Sequence, residues 1–144
     1  YQIQLFEAAL DKDGIAYKEY AIADTNEVQS VTTAAVGECD VLYIPTDNTL
    51  ASVAETVYNV VVPAKVPVIA GEEGICNGCG VATLSISYYD LGYATGEMAY
   101  EILAEGADIT TMDVRYAPNV TKKYNAKICE ELGITVPDDY VAIQ

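Results

Sequence analysis

The sequence predicts an α/β protein, a three-layer sandwich in which a mostly parallel sheet lies between helices. Three observations predict it. Helical and strand-like patterns alternate along all 144 residues, the order of repeated βα units joined by right-handed crossovers. Asp40–Pro45 (DVLYIP) and Val66–Ala70 (VPVIA) are short and almost continuously apolar, as strands are when both faces are covered. Hydrophobic residues make up 51% of the chain and charged residues 20%, which supplies a core and excludes a disordered segment. No repeat, linker or low-complexity stretch divides the chain, so residues 1–144 read as one domain.

Each element has its own signature. Tyr1–Lys12 carries Ile3, Phe6 and Leu10 at helical spacing and stops at Gly14. Ile15–Ile22 reads as a strand with Tyr17 and Tyr20 among its β-formers. Asp24, with Glu27 three residues on, resembles a capping box for a helix that buries Val28, Val31 and Ala35 and ends near Gly37. After the DVLYIP strand, Asn48 or Thr49 caps a helix with the stripe Leu50, Val53, Val57, Val60 and Ala64. VPVIA is followed by a glycine-rich loop over Gly71–Gly80, then by a strand over Val81–Ser87 (VATLSIS). Asp90 caps a helix through Ala104, with Leu91, Ala94, Met98 and Ile102 on one face. Met112–Tyr116 reads as a strand and Asn125–Leu132 as a last helix stopped by Gly133 and Pro137.

Such sheets normally open with the strand that becomes central, whereas this chain opens inside a helix at Tyr1, with no signal-peptide or lipidation pattern. It therefore reads as part of a longer protein whose first strand precedes Tyr1. An unfilled slot in the sheet would leave backbone groups unpaired and favour a homodimer or a strand rearrangement.

Composition excludes several functions. Seven basic residues face 22 acidic ones, for a formal charge of −15. A nucleic-acid partner needs a positive stripe that the sequence lacks, and an anionic membrane surface is disfavoured on the same ground. The longest apolar stretch, Val57–Val68, is broken by Asn59, Pro63, Lys65 and Pro67, well short of the roughly 18 residues of a membrane span. Without histidine the usual acid–base residue is missing. No nucleophile-elbow, phosphate-loop or dinucleotide pattern occurs.

Cys39, Cys76, Cys79 and Cys129 leave three readings open. The C-x-x-C spacing of Cys76 and Cys79 fits a redox or half-zinc motif, but it falls within glycine-rich sequence and lacks the remaining zinc ligands. Free or buried thiols are the leading reading, a local disulfide the second, and metal or redox function the third. No cofactor is expected.

In open parallel sheets ligands bind beyond the carboxyl ends of the strands. Three stretches meet that condition: Thr46, Asp47, Asn48 and Thr49; then Glu72 and Glu73 between Gly71 and Gly74; then Tyr88, Tyr89 and Asp90. Together they supply carboxylates, neutral hydrogen-bonding groups and aromatic surface, the parts needed to hold a small zwitterion. Each also has a plainer role, since Asp90, Asn48 and Thr49 suit helix caps and one of Glu72 and Glu73 suits a solvated surface. If the strand continues, Tyr88 and Tyr89 point to opposite faces, so at most one of them lines a cleft.

At these residues the stretches DVLYIPTDNTLAS, VPVIAGEEG and ATLSISYYDLGYATGEMAYEIL, with the closing NAKICEELGITVPDD, resemble the C-terminal lobe of ABC-transporter substrate-binding proteins of the tryptophan/tyrosine-type group. The resemblance covers nearly all of the chain. It implies one lobe of a type I periplasmic-binding fold, in which two lobes trap a solute at a hinge. It also implies a secreted or lipid-anchored protein that delivers an amino-acid-like solute to an ABC permease, and no enzymatic activity. Carried over by motif, Thr46, Asp47 and Asn48 match the first cleft loop, Glu72 and Glu73 the second, and Tyr89 and Asp90 the third. The stretch ICNGCG departs from the family in its cysteine and glycine content. A ligand-sensing lobe of a regulator or receptor is the alternative, and a small α/β enzyme or C-x-x-C oxidoreductase a third reading.

Overall fold

A computed structural model describes residues 1–143. Seven helices and five strands follow in the order α1 (Gln2–Asp13), α2 (Val28–Val36), β1 (Leu42–Ile44), α3 (Asn48–Ser52), α4 (Ala54–Ala64), β2 (Val68–Ala70), α5 (Glu73–Gly78), β3 (Ala82–Ile86), α6 (Tyr88–Leu103), β4 (Val120–Tyr124), α7 (Ala126–Leu132) and β5 (Val141–Ala142), with a 3-10 turn at Ile109–Thr111. The strands form one sheet in the order β1-β2-β3-β4-β5. β1, β2 and β3 are parallel, β4 runs antiparallel to β3, and β5 is parallel to β4. The α/β class and the mostly parallel sheet agree with the sequence.

The core lies on one face of this sheet. Ile44, Val68 and Ala70 pack there against Val28 of α2, Ala54, Val57 and Val61 of α4, and Ile75, Cys76 and Cys79 in and just after α5. A smaller cluster of Val81, Ile128 and Cys129 closes the end where α7 docks. On the opposite face α1 is anchored by Phe6, whose ring stacks on Tyr43 with centroids 3.9 Å apart. The pattern on β3 is inverted. Thr83 and Ser85 are buried, while Leu84 and Ile86 are 59% and 39% exposed.

Local chemistry explains most boundaries. α1 ends at Gly14, whose φ of 69° places it in the left-handed region that glycine enters without strain. α7 starts at the Asn125 side chain, which accepts from Ile128 N at 3.2 Å, and ends at Gly133. α2 buries Val28, Thr32 and Ala35, so Thr32 takes the inward place expected of Val31. The capping box is only half formed. Glu27 reaches back to Ala23 N at 3.0 Å, but Asp24 turns onto Asn26 N instead of capping α2.

Several expectations are corrected. The single helix expected after Asn48 breaks at Val53 into α3 and α4, and α4 buries Ala54, Val57 and Val61 rather than Val60 and Ala64. The break lets Ala54 seat against Gly78, where an added Cβ would lie 2.4 Å from the Ala54 Cβ. The glycine-rich stretch is helical over α5, because burial of Ile75 and Cys76 and a capping carboxylate outweigh glycine's conformational cost of about 0.5–1 kcal/mol per residue.

Ile15–Ile22 forms no strand. The segment does not pair with β1, which remains the edge of the sheet, and β-forming side chains make a strand only where another backbone lies beside them. Lys18 and Tyr20 instead bond to Glu38. Met112–Tyr116 is likewise not a strand. The strand of this region is β4, whose Lys122–Lys123 pair hid it from a hydrophobicity reading.

Ile75 is fully buried where α5 meets β2 and β3. Ile75→Ala is expected to destabilise the fold by about 2–5 kcal/mol, read as a lower midpoint in urea unfolding with an unchanged slope.

Candidate ligand-binding rim

Because β1, β2 and β3 are parallel, the segments leaving their carboxyl ends emerge along one edge of the sheet. β4 is antiparallel, and Ile86 pairs with Val120, so Asn119 joins that edge from the other direction.

The first two segments touch through their backbones. Gly71 N donates to Ile44 O at 2.7 Å, and Thr46 Oγ1 donates to Gly71 O at 3.2 Å. A Cβ on Gly71 would lie 2.7 Å from Thr46 N and 2.8 Å from the Pro45 carbonyl carbon. Thr46 N donates to the Gln2 side chain at 3.0 Å, so the first turn of α1 also reaches the rim.

The carboxylates have different tasks. Asp47, not Asn48 or Thr49, caps α3, accepting from Leu50 N at 2.8 Å. Asn48 is the first residue of that helix and is exposed. Glu72 caps α5, accepting from Gly74 N at 2.7 Å and from Ile75 N. Glu73 receives Lys123 Nζ on both oxygens, at 2.9 and 2.8 Å, and Ser85 Oγ at 2.6 Å. These hydrogen bonds, the Lys123 one first, hold its carboxyl below the ordinary carboxylate range.

Asp90 is not the cap of α6. Ser87 is, accepting from Asp90 N at 3.1 Å. The Asp90 carboxylate accepts instead from Asn119 Nδ2 at 3.1 Å. Tyr88 and Tyr89 belong to the first turn of α6, so the strand does not continue and the expectation that they point to its opposite faces does not apply. Both are exposed, Tyr89 at 80%.

The structure therefore joins Thr46 to the Gly71–Glu72 turn, ties Glu73 to β3 and β4, and fastens Asp90 to the residue before β4. Tyr89 stands outside this bonded network. Sequence reasoning missed Gln2, Ser85, Ser87, Asn119 and Lys123. Ser87-Tyr88-Tyr89-Asp90 carries an S-x-x-D capping signal that locates Ser87. Nothing local marks the other four, whose partners lie 12 to 50 residues away.

All four cysteines are free. Cys76 lies on α5 and Cys79 just after it, rather than in a loop, and burial pushes both thiols up to about 12. Among the described residues no cluster of three or more His, Cys, Asp or Glu side chains is placed to hold a metal.

Residues 1–143 match the family model of ABC transporter substrate binding proteins. The chain belongs to that family. Its members are solute-binding proteins and not enzymes.

The chain is similar to the tyrosine-binding protein of Clostridioides difficile (strain R20291), with 38% identity over 107 residues, 71% of this chain and 31% of that one. A substrate-binding protein with adhesive properties from Clostridium difficile, in its ligand-free open form, is 35% identical, with a TM-score of 0.78 over 99% of this chain and 50% of that one. The ABC domain from Streptococcus pneumonia in complex with L-Trp is 33% identical, with a TM-score of 0.81 over 95% of this chain and 46% of that one. The chain thus spans less than a third of the curated relative and about half of each of these solved chains.

Three measurements test this geometry. Gly71→Ala is expected to push the first two rim turns apart, seen as chemical-shift changes spreading from residue 71 to Pro45 and Thr46. For Glu73, a folded-state pKa below the unfolded value means that the ion pair stabilises the fold above the ordinary value of 4.5 and is lost as pH falls through the lowered value. Glu73→Gln is therefore expected to flatten the acid limb of the stability profile. Ellman titration of native protein at about pH 8, near the free-thiol value, is expected to leave Cys76 and Cys79 unmodified until denaturant is added.

Proposed function

We propose that this chain is one α/β lobe of an extracytoplasmic solute-binding protein of an ABC importer, and that its rim holds an amino-acid-like zwitterion against a second lobe. Binding to an open form, closure and presentation to the permease complete the cycle. The family supports the transporter role, and relatives named for tyrosine binding or holding L-Trp support the solute class.

The observation that carries the reading is the unequal use of the acidic side chains. Glu72 is spent on α5 and Glu73 on Lys123, while Asp90 meets only a neutral amide. Asp90 thus keeps a charge to offer the solute ammonium. Asn48, exposed at the start of α3, is the neutral hydrogen-bonding group for its carboxylate, while Asp47, which caps α3, and Thr46, which donates to Gly71 O, fix the turn that presents it. Tyr89 stands at the mouth, exposed, where a second lobe or the solute would cover it.

Isothermal titration of the intact protein with L-tyrosine, L-tryptophan and L-phenylalanine tests the assignment. Micromolar or tighter binding is expected. Asp90→Asn is expected to weaken tyrosine by roughly ten- to a hundredfold, the worth of a charge-assisted hydrogen bond of about 1.5–3 kcal/mol. Binding of 3-(4-hydroxyphenyl)propionate, which lacks the ammonium, should change far less. A wild-type protein that binds none of these amino acids would end the proposal.

A further inference from the structure

The Asp90 carboxylate is not where its own helix would put it. Ser87-Tyr88-Tyr89-Asp90 opens α6 as an S-x-x-D capping sequence. In a complete capping box two bonds form. The cap side chain accepts from the backbone N–H three residues on, and the acidic side chain there reaches back to the N–H of the cap. At α6 the first bond is made, with Ser87 Oγ accepting from Asp90 N at 3.1 Å. The carboxylate takes a different partner. Its Oδ2 accepts from Asn119 Nδ2 at 3.1 Å, from a residue 29 positions away.

Sheet register explains why Asn119 reaches it. β3 and β4 pair antiparallel as far as Ile86 and Val120, so Ser87 and Asn119 leave the ladder side by side. The chain is held on both sides of Asn119. The ladder starts at the next residue, Pro118 precedes it with its φ preset, and Arg115 bonds both Glu101 oxygens of α6. Asn119 is exposed and Asp90 half-buried, so the pair sits at the surface of the rim.

We propose that Asn119 is a positioning residue, which draws the Asp90 carboxylate out of the capping box and holds it at the rim with Oδ1 open to the solute ammonium. The assignment rests on the solute-binding reading above. An amide suits this task because it donates a hydrogen bond without bringing a charge. A lysine in its place would neutralise the carboxylate, as Lys123 does at Glu73. Without the amide, the carboxylate folds back onto Ser87 N–H, where the start of the helix favours negative charge. Loss of Asn119 therefore weakens solute binding while it strengthens the cap of α6. These opposite signs separate a positioning residue from a merely structural one.

The experiment follows both effects in the intact protein. In amide NMR spectra without solute, Asn119→Ala is expected to shift the Ser87 resonance and slow its hydrogen exchange, and Asp90→Ala in the same chain should cancel the change. In calorimetric titration with L-tyrosine, Asn119→Ala is expected to weaken binding about fivefold, the cost of pulling the carboxylate off a helix cap. Its melting temperature should be no lower than that of the wild type. In an Asp90→Ala background the substitution should have no further effect on affinity, so any general damage to the fold cancels in the cycle. Arg115→Ala, which frees the other tie between this stretch and α6, should leave tyrosine affinity unchanged. Wild-type affinity in Asn119→Ala, or an unmoved Ser87 amide, would overturn the positioning role and leave the solute-binding reading intact. So would an equal loss in Arg115→Ala, which would make Asn119 a mere anchor for residues 115–119. A wild-type protein that binds no amino acid would remove both.

Discussion

The backbones leaving β1 and β2 approach so closely that residue 71 has no room for a Cβ, and the rest of the rim depends on that approach. It lets Gly71 N reach Ile44 O and brings the Thr46 hydroxyl onto the Gly71 carbonyl. Parallel strands pair only along their length, so their outgoing turns are otherwise independent. Here one missing side chain converts two turns into a single surface, and Gln2 of α1 seals it from the opposite face of the sheet.

Beyond that contact, the rim is organised by how its acidic residues are used. In a chain of net charge −15, carboxylates at a sheet edge repel one another unless each is given a partner. Asp47 and Glu72 are absorbed by backbone N–H groups at helix starts, where the local dipole favours negative charge. Glu73 is absorbed by one of the few lysines, Lys123, which β4 delivers because it runs against its neighbours. Asp90 has only an amide for company. The place proposed for the solute's ammonium group rests on this division of labour rather than on the number of acidic residues.

The same antiparallel strand brings a distant stretch of chain to the rim. β4 turns the chain back along the sheet, so the residues before it arrive at the rim beside the start of α6. Arg115, donating to both Glu101 oxygens at 2.8 and 2.6 Å, and Asn119, donating to Asp90 at 3.1 Å, tie that stretch to the helix. α6 buries none of its residues, which leaves its aromatic side chains available to a solute or another surface instead of committing them to the core.

The sequence by itself determined the α/β class, β1, β2 and β3, the last helix with its stop at Gly133, and the three stretches that leave the carboxyl ends of those strands. Those features are local, since periodicity, strand length and turn residues are written in neighbouring positions. Tertiary structure alone decided which rim carboxylates are spent, because their partners Lys123 and Asn119 lie 50 and 29 residues away. It also decided that Ile15–Ile22 is not a strand and that Val120–Tyr124 is one. A strand exists only where another backbone lies beside it, and Ile15–Ile22 has the side chains without the partner, while Val120–Tyr124 has the partner without the pattern.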